Sequence, residues 1–71
     1  MTFRHWYEVR YVRDGWHIRQ CGKGKPSMKG ETYGDRWSAK RGAMRRRVRD
    51  GHPLWPVRLF SRDGAYAYTV I

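Results

Sequence analysis

The arginines and lysines between residues 35 and 50 are the side chains with the clearest chemical potential in this sequence. The segment carries seven basic and two acidic residues, so it supplies +5 of the formal net charge of +10. Arginine binds phosphate in a forked geometry and stacks on bases, whereas a solvated helix face ordinarily mixes charges of both signs. The pattern therefore favours contact with a polyanion. The candidate phosphate-binding residues here are Arg36, Arg45, Arg46 and Arg49.

A second basic segment, residues 21–30, is rich in glycine and lysine. It resembles a phosphate-binding loop only loosely, because it lacks the Gly-Lys-Ser/Thr ending of a nucleotide-binding loop. We interpret it as a mobile loop whose Lys23, Lys25 and Lys29 can touch phosphates as point charges.

The sequence offers little for catalysis or metal binding. The six carboxylates are scattered, and turns or a helix cap account for Asp14, Asp63 and Asp35. No Ser-His-Asp set can be nominated from spacing, and one cysteine is too few for a typical structural zinc site. His17 and Cys21, joined by His5 or His52, are the remaining combination. We therefore predict no enzymatic activity, no cofactor and no bound metal.

One helix is predicted over residues 35–50. Asp35 suits the N-cap because its carboxylate accepts free backbone N–H groups and complements the helix dipole. Gly51 can adopt the left-handed conformation after the last turn, and Pro53 prevents continuation. Gly42 in the helix interior usually marks the close approach of another backbone or ring.

The helix has two candidate inner faces. Large apolar residues form one narrow stripe, and small residues form another on roughly the opposite side. We expect the large stripe in the core, since large apolar groups gain more from burial. In the alternative, the small stripe lies flat against aromatic strand residues and the large stripe is an exposed partner interface. The large stripe is Trp37, Met44 and Val48; the small one is Ala39, Gly42 and Ala43.

The rest of the chain predicts strands and tight turns. Alternating apolar and charged residues indicate strands over 6–12, 16–20, 57–61 and 65–71, with a short further strand over 28–33. Asp14-Gly15 and Asp63-Gly64 suit hairpin turns. The fold class is thus α+β, as ββ(β)αββ: an antiparallel sheet of four or five strands with one helix on one face.

Length and composition bound the remaining possibilities. The 71 residues suffice for a single small domain, 1–71, with a thin core. No apolar run approaches the 18 residues or so that a membrane span needs, and the N-terminus lacks a signal-peptide pattern. The single Cys21 is consistent with a reducing cytoplasm. So short a chain has two apolar helix faces and at least one sheet edge to cover, and this motivates the prediction of a homodimer at even odds with a monomer.

The chain resembles the YegP-like family of small bacterial and phage domains. The resemblance is carried by Tyr-Glu-Val-x-Tyr-Val-Arg-Asp-Gly-Trp-His-Ile, by Gly-Glu-Thr-Tyr, and by Ala39, Gly42 and Ala43 on the helix. A related uncharacterised family has a similar layout, with a Gly-Trp hairpin and a late Asp-Gly turn. The resemblance implies a ββαββ unit that associates through strands or helices, and no established chemistry. Arg46 stands where the family would have an apolar residue.

Residues 7–48 also resemble the arm-type DNA-binding domain of tyrosine recombinases, which has three strands followed by a helix. That domain lays its sheet into the major groove. The resemblance implies that Arg10, His17 and Arg19, on the exposed sheet face, would read bases.

These observations predict a small basic module that binds nucleic acid mainly through phosphate contacts, with DNA favoured over RNA. The alternative is a protein-interaction module that binds an acidic partner or host protein, as a homodimer in one version.

Overall fold

The computed structural model of the protein describes residues 4–22 and 32–71. In chain order the elements are β1 (His5–Val12), β2 (Gly15–Gly22), α1 (Arg36–Arg49), β3 (Val57–Phe60) and β4 (Tyr66–Val70). The four strands form one sheet, and α1 packs against one of its faces. The predicted α+β class is therefore confirmed. Lys23, Lys25, Lys29 and most of the strand predicted over 28–33 lie outside the described residues.

The sheet has the order β2-β1-β3-β4. The hairpins β1–β2 and β3–β4 are antiparallel, as predicted. The central pair β1–β3 is parallel, with Tyr7 opposite Val57 and Val9 opposite Leu59, so the expectation of a fully antiparallel sheet was wrong here. The reason is the crossover: the chain leaves β2, passes along α1 over the sheet, and returns beside β1 running in the same direction.

The predicted signals set the ends of α1. Asp35 is extended (φ −144°), and its Oδ1 accepts the backbone N–H of Ser38 at 2.8 Å. At the other end Gly51 has φ +82°, and His52 donates its N–H to the carbonyl of Arg47 at 2.7 Å. Both termini thus satisfy backbone groups that a helix leaves unpaired. Residues 4–22 and 32–71 contain one helix, the fourteen-residue α1. It is neither long nor apolar enough to cross a membrane.

The small stripe of α1, not the large one, faces the sheet. Ala39, Gly42 and Ala43 are buried, while Trp37 and Val48 are 62% and 63% exposed. The expectation that the large stripe fills the core was wrong; the small stripe packs on the sheet, and a partner interface at the large stripe stays a prediction. The core-facing side of the sheet already carries bulky side chains, so a smooth helix face packs closely where a bulky one would not fit. Those buried sheet residues are Tyr7, Val9, Trp16, Ile18, Val57 and Leu59.

Tyr33 completes this packing. Its backbone pairs with Trp16 through two hydrogen bonds of 2.9 Å, which attaches the segment before α1 to the edge of β2. Its ring lies against Gly42, where a Cβ atom would collide with the phenol. The close approach that a helix-interior glycine predicts is thus made by a tyrosine ring.

Candidate functional site

The predicted basic residues do not form one surface. Cross-strand register places Arg10 opposite His17 and Glu8 opposite Arg19, on the sheet face that points away from α1. Arg45 and Arg49 lie on the helix, on the other side of the sheet. The nominated set therefore divides between an open sheet face and a helix surface, and each must be considered alone.

Arg46 lies against the sheet. It follows Ala39, Gly42 and Ala43 by seven, four and three residues, so it extends the small stripe toward the core. Its side chain is only 13% exposed. Nε lies 3.4 Å from Asp50 Oδ2, and Nη1 donates to the carbonyl of Ile18 at 3.4 Å. Arg46 therefore links α1 to β2, and its guanidinium is engaged within the fold.

Two arginines of the open sheet face, Arg10 and Arg58, are also engaged, whereas Arg19 on the same face has a buried Nε without a hydrogen-bond partner among the described residues. Arg10 donates from Nε to Glu8 Oε1 at 2.7 Å, and its guanidinium lies 3.7 Å from the centre of the Phe60 ring. Arg58 lies over the Trp6 ring at 4.6 Å. Glu8 is buried, which opposes ionisation. Hydrogen bonds from Arg10 and Trp6, together with the Arg10 charge, outweigh that effect and lower the pKa of Glu8. Its carboxylate is the counter-ion of this face.

The outer side of α1 carries a different arrangement, which we call the arginine ridge: Arg41, Arg45 and Arg49. These residues are four apart, so they follow one oblique ridge of the helix at steps of about 6 Å along its axis. All three are exposed. Among the described residues no carboxylate lies within 4 Å of Arg41 or Arg45, and Arg49, 77% exposed, has Asp50 Oδ1 at 3.8 Å. The ridge is thus a basic surface that carboxylates of the described residues neutralise only at Arg49.

An open depression of about 250 Å³ adjoins the ridge. Arg41, Arg45, Tyr33 and Ser38 line it, so two guanidinium groups and two hydroxyl-bearing side chains border one space. Ser38 Oγ donates to Asp35 Oδ2 at 3.0 Å. The two hydrogen bonds from Ser38 lower the pKa of Asp35, which keeps this cap carboxylate ionised. A group of this composition suits an anionic oxygen ligand such as phosphate.

Trp37 precedes Arg41 by four residues and therefore continues the same ridge. Lys40 Nζ lies 4.8 Å from the centre of its ring and 5.4 Å from that of Tyr68. Arg36 lies on this flank, with its guanidinium 5.7 Å from the Tyr68 ring. Of the large stripe, Trp37 and Val48 are exposed, whereas Met44 is half-buried and packs at the border of the core.

The residues considered for a metal are separated by the sheet. His17 and Cys21 are on strand positions of the open face, whereas His5 and His52 stack on Trp55 at ring distances of 4.7 and 3.6 Å. No three His, Cys, Asp or Glu side chains of residues 4–22 and 32–71 are grouped to hold a metal ion. Burial, and then the charge of Glu8, raise the pKa of Cys21 to about 11, so it is a thiol at neutral pH.

Arg41 is the site residue that sequence reasoning missed. The signal was present, because 41, 45 and 49 repeat every four residues. The repeat could not be interpreted without knowing which stripe of α1 is buried. When the small stripe faces the sheet, Arg41 lies on the outer side of the helix and Arg46 on the inner side.

No family model, curated protein or solved structure matches this chain. The resemblances to the YegP-like family, to its related uncharacterised family and to the arm-type DNA-binding domain remain predictions.

Proposed function

We propose that this protein binds nucleic acid, and that the arginine ridge contacts the phosphate backbone. The observation that carries the proposal is the state of Arg41 and Arg45: both are exposed, they are one helical turn apart, and no carboxylate of the described residues lies within 4 Å of either. Like charges held this close repel one another unless an anion bridges them.

The composition supports a polyanion rather than a single small anion. The formal net charge is +10 in 71 residues, and a field of this sign raises the local concentration of a polyanion and its rate of association. A nucleic acid carries a negative charge at every nucleotide, so a line of exposed guanidinium groups can contact several phosphates of one backbone. Such contacts position the ligand without reading its sequence.

The depression beside Arg41 and Arg45 is the proposed binding site for one phosphate. There the hydroxyl groups of Tyr33 and Ser38 border the same space as the two guanidinium groups. Hydrogen bonds from arginine to phosphate are short and strong, and the Tyr33 hydroxyl can add to them, whereas Ser38 already donates its proton to Asp35.

The test is a binding titration of a labelled DNA, and of an RNA of the same length, across a range of salt concentrations. We expect binding at low salt with little sequence preference. Changing Arg41, Arg45 and Arg49 together to Gln should flatten the plot of log affinity against log salt by about two to three units, because each phosphate contact contributes roughly 0.7 to 0.9.

A matched control removes three positive charges elsewhere. Arg4, Arg13 and Arg62 are exposed and lie off the helix, so changing them to Gln lowers the net charge equally. If this control reduces affinity and salt slope as much as the ridge variant does, the charge acts diffusely and the ridge is not the site. If the unmodified protein binds neither DNA nor RNA at low salt, the proposal is wrong.

An acidic protein partner is the second candidate. Val48 is exposed close to the ridge, and apolar and basic groups side by side suit a partner that carries both apolar and acidic groups. Competition separates the two candidates: an acidic polypeptide that binds under conditions where DNA does not would favour the protein partner.

A further inference from the structure

We infer that the nucleic acid bound by the ridge is single-stranded, with an unpaired base stacked on Trp37. This inference rests on the proposed function and specifies its ligand. Trp37, Arg41, Arg45 and Arg49 follow one another at intervals of four along the same oblique ridge, about 18 Å long from first to last. One aromatic ring therefore begins a line of three guanidinium groups.

The exposure of Trp37 is the main evidence. Trp37 is 62% exposed, whereas Tyr7 and Trp16 supply rings to the core. It lies on the outer side of α1, so it contributes little to the packing of helix on sheet. A tryptophan left in water at the end of a basic ridge offers a stacking surface to a base, because every base has a π-face.

Lys40 contacts the indole ring of Trp37. Its ammonium group lies 4.8 Å from the centre of the Trp37 ring, and within the described residues it supplies the cation contact of that ring. The contact holds one face of the indole against a positive charge.

A duplex fits this ridge less well. Its bases are paired and stacked within the helix, so the exposed indole would meet sugar and phosphate rather than a base. Guanidinium groups can contact the phosphates of a duplex or of a single strand, whereas the tryptophan ring can stack only on an unpaired base. Binding to single strands without sequence preference ordinarily combines a basic track with aromatic platforms, and the ridge has both.

The experiment compares three probes of equal phosphate number: a short oligothymidylate, the same strand with abasic sites in place of bases, and a duplex. We expect the oligothymidylate to bind about tenfold more tightly than the abasic strand, since stacking on one aromatic ring has roughly that value. Trp37→Ala should remove this advantage and leave affinity for the abasic strand unchanged. Trp37→Phe should retain most of it.

Val48→Ala is the matched control, because Val48 is equally exposed on α1 but outside the ridge. It should leave all three affinities unchanged. Equal affinity for oligothymidylate and abasic strand would overturn the stacking inference while the proposed function stands. Tighter binding of the duplex than of the oligothymidylate would also overturn it. Failure to bind any of the probes would overturn the proposed function itself.

Discussion

The phenol ring of Tyr33 lies against Gly42 of α1, where a Cβ atom would collide with the ring carbon that bears the hydroxyl group and with its oxygen. Glycine in a helix interior reduces stability by about 1 kcal/mol relative to alanine. The chain accepts this because the ring occupies the space that a methyl group would need. Tyr33 in turn pairs with Trp16 and lines the depression beside the ridge, so Gly42 bears on both packing and the site.

The first prediction concerns this pair. Gly42→Ala should lower the free energy of unfolding by about 1 kcal/mol, because overpacking at the ring exceeds the gain in helix propensity. In a Tyr33→Ala background the same substitution should raise it by about 1 kcal/mol, since the space is then empty. Urea unfolding of the four proteins measures both effects. A substitution that acts with the same sign in both backgrounds would contradict the close approach.

Sequence reasoning was accurate where short-range chemistry decides the structure. Asp35 and Gly51 mark the ends of α1 because capping involves residues only a few positions apart. Both hairpins lie where they were predicted, but of their two turn glycines only Gly64 has a positive φ (+95°); the first hairpin turns at Arg13-Asp14, with Arg13 at φ +41°, and Gly15 already belongs to β2. Gly42 predicted a close approach, although the sequence did not identify Tyr33 as the partner.

The failures concern relations between distant residues. Apolar area alone favoured Trp37 and Val48 for the core. The large side chains of the sheet leave little space beneath α1, and this space decides which stripe of the helix fits there. The same packing turns Arg46 inward, where its long aliphatic stem lies along apolar surface and its charged end reaches Ile18 and Asp50. The parallel pairing of β1 and β3 depends on the path of the chain over the sheet, which no local pattern encodes.

The second prediction separates two adjacent arginines. Arg46→Ala should lower the free energy of unfolding by about 1 to 3 kcal/mol, because it removes buried stem and hydrogen bonds to Ile18 and Asp50. Arg45→Ala, on the exposed ridge, should change it by less than about 0.5 kcal/mol. Thermal or urea unfolding distinguishes them.

Binding should respond in the opposite order. Arg45→Ala should weaken nucleic-acid binding, and Arg46→Ala should leave the salt slope unchanged when measured under conditions where that variant is fully folded. If Arg46→Ala is as stable as the unmodified protein and loses affinity, then Arg46 belongs to the binding surface and not to the packing of α1.

The third prediction concerns Tyr7, whose side chain is fully buried between β1 and the end of α1. Its hydroxyl donates to Asp50 Oδ2 at 3.0 Å. Burial raises the pKa of Tyr7 to about 12, and the hydrogen bond to Asp50 and the charge of that carboxylate act in the same direction. In the unfolded chain the pKa of tyrosine is about 10.

The sign of the pH dependence follows from these two pKa values. Below pH 10 both states keep the proton, so the contribution of Tyr7 to stability is fully present. Between pH 10 and pH 12 the unfolded chain loses the proton while the folded protein keeps it, so stability falls as the pH rises. The loss due to this one group should reach about 2 kcal/mol at pH 12.

Alkaline pH affects protein stability through more than one group, so the measurement is a difference between variants. Tyr7→Phe removes the titrating hydroxyl and should be less stable than the unmodified protein by about 1 kcal/mol at pH 8, because Asp50 loses a donor. Its urea midpoint should then fall less steeply from pH 10 to pH 12. Tyr66→Phe, at an exposed position, is the control for removal of a tyrosine hydroxyl outside the core. Parallel pH profiles for Tyr7→Phe and the unmodified protein would mean that Tyr7 ionises as readily in the folded state as in the unfolded one, and that Asp50 does not hold its proton in place.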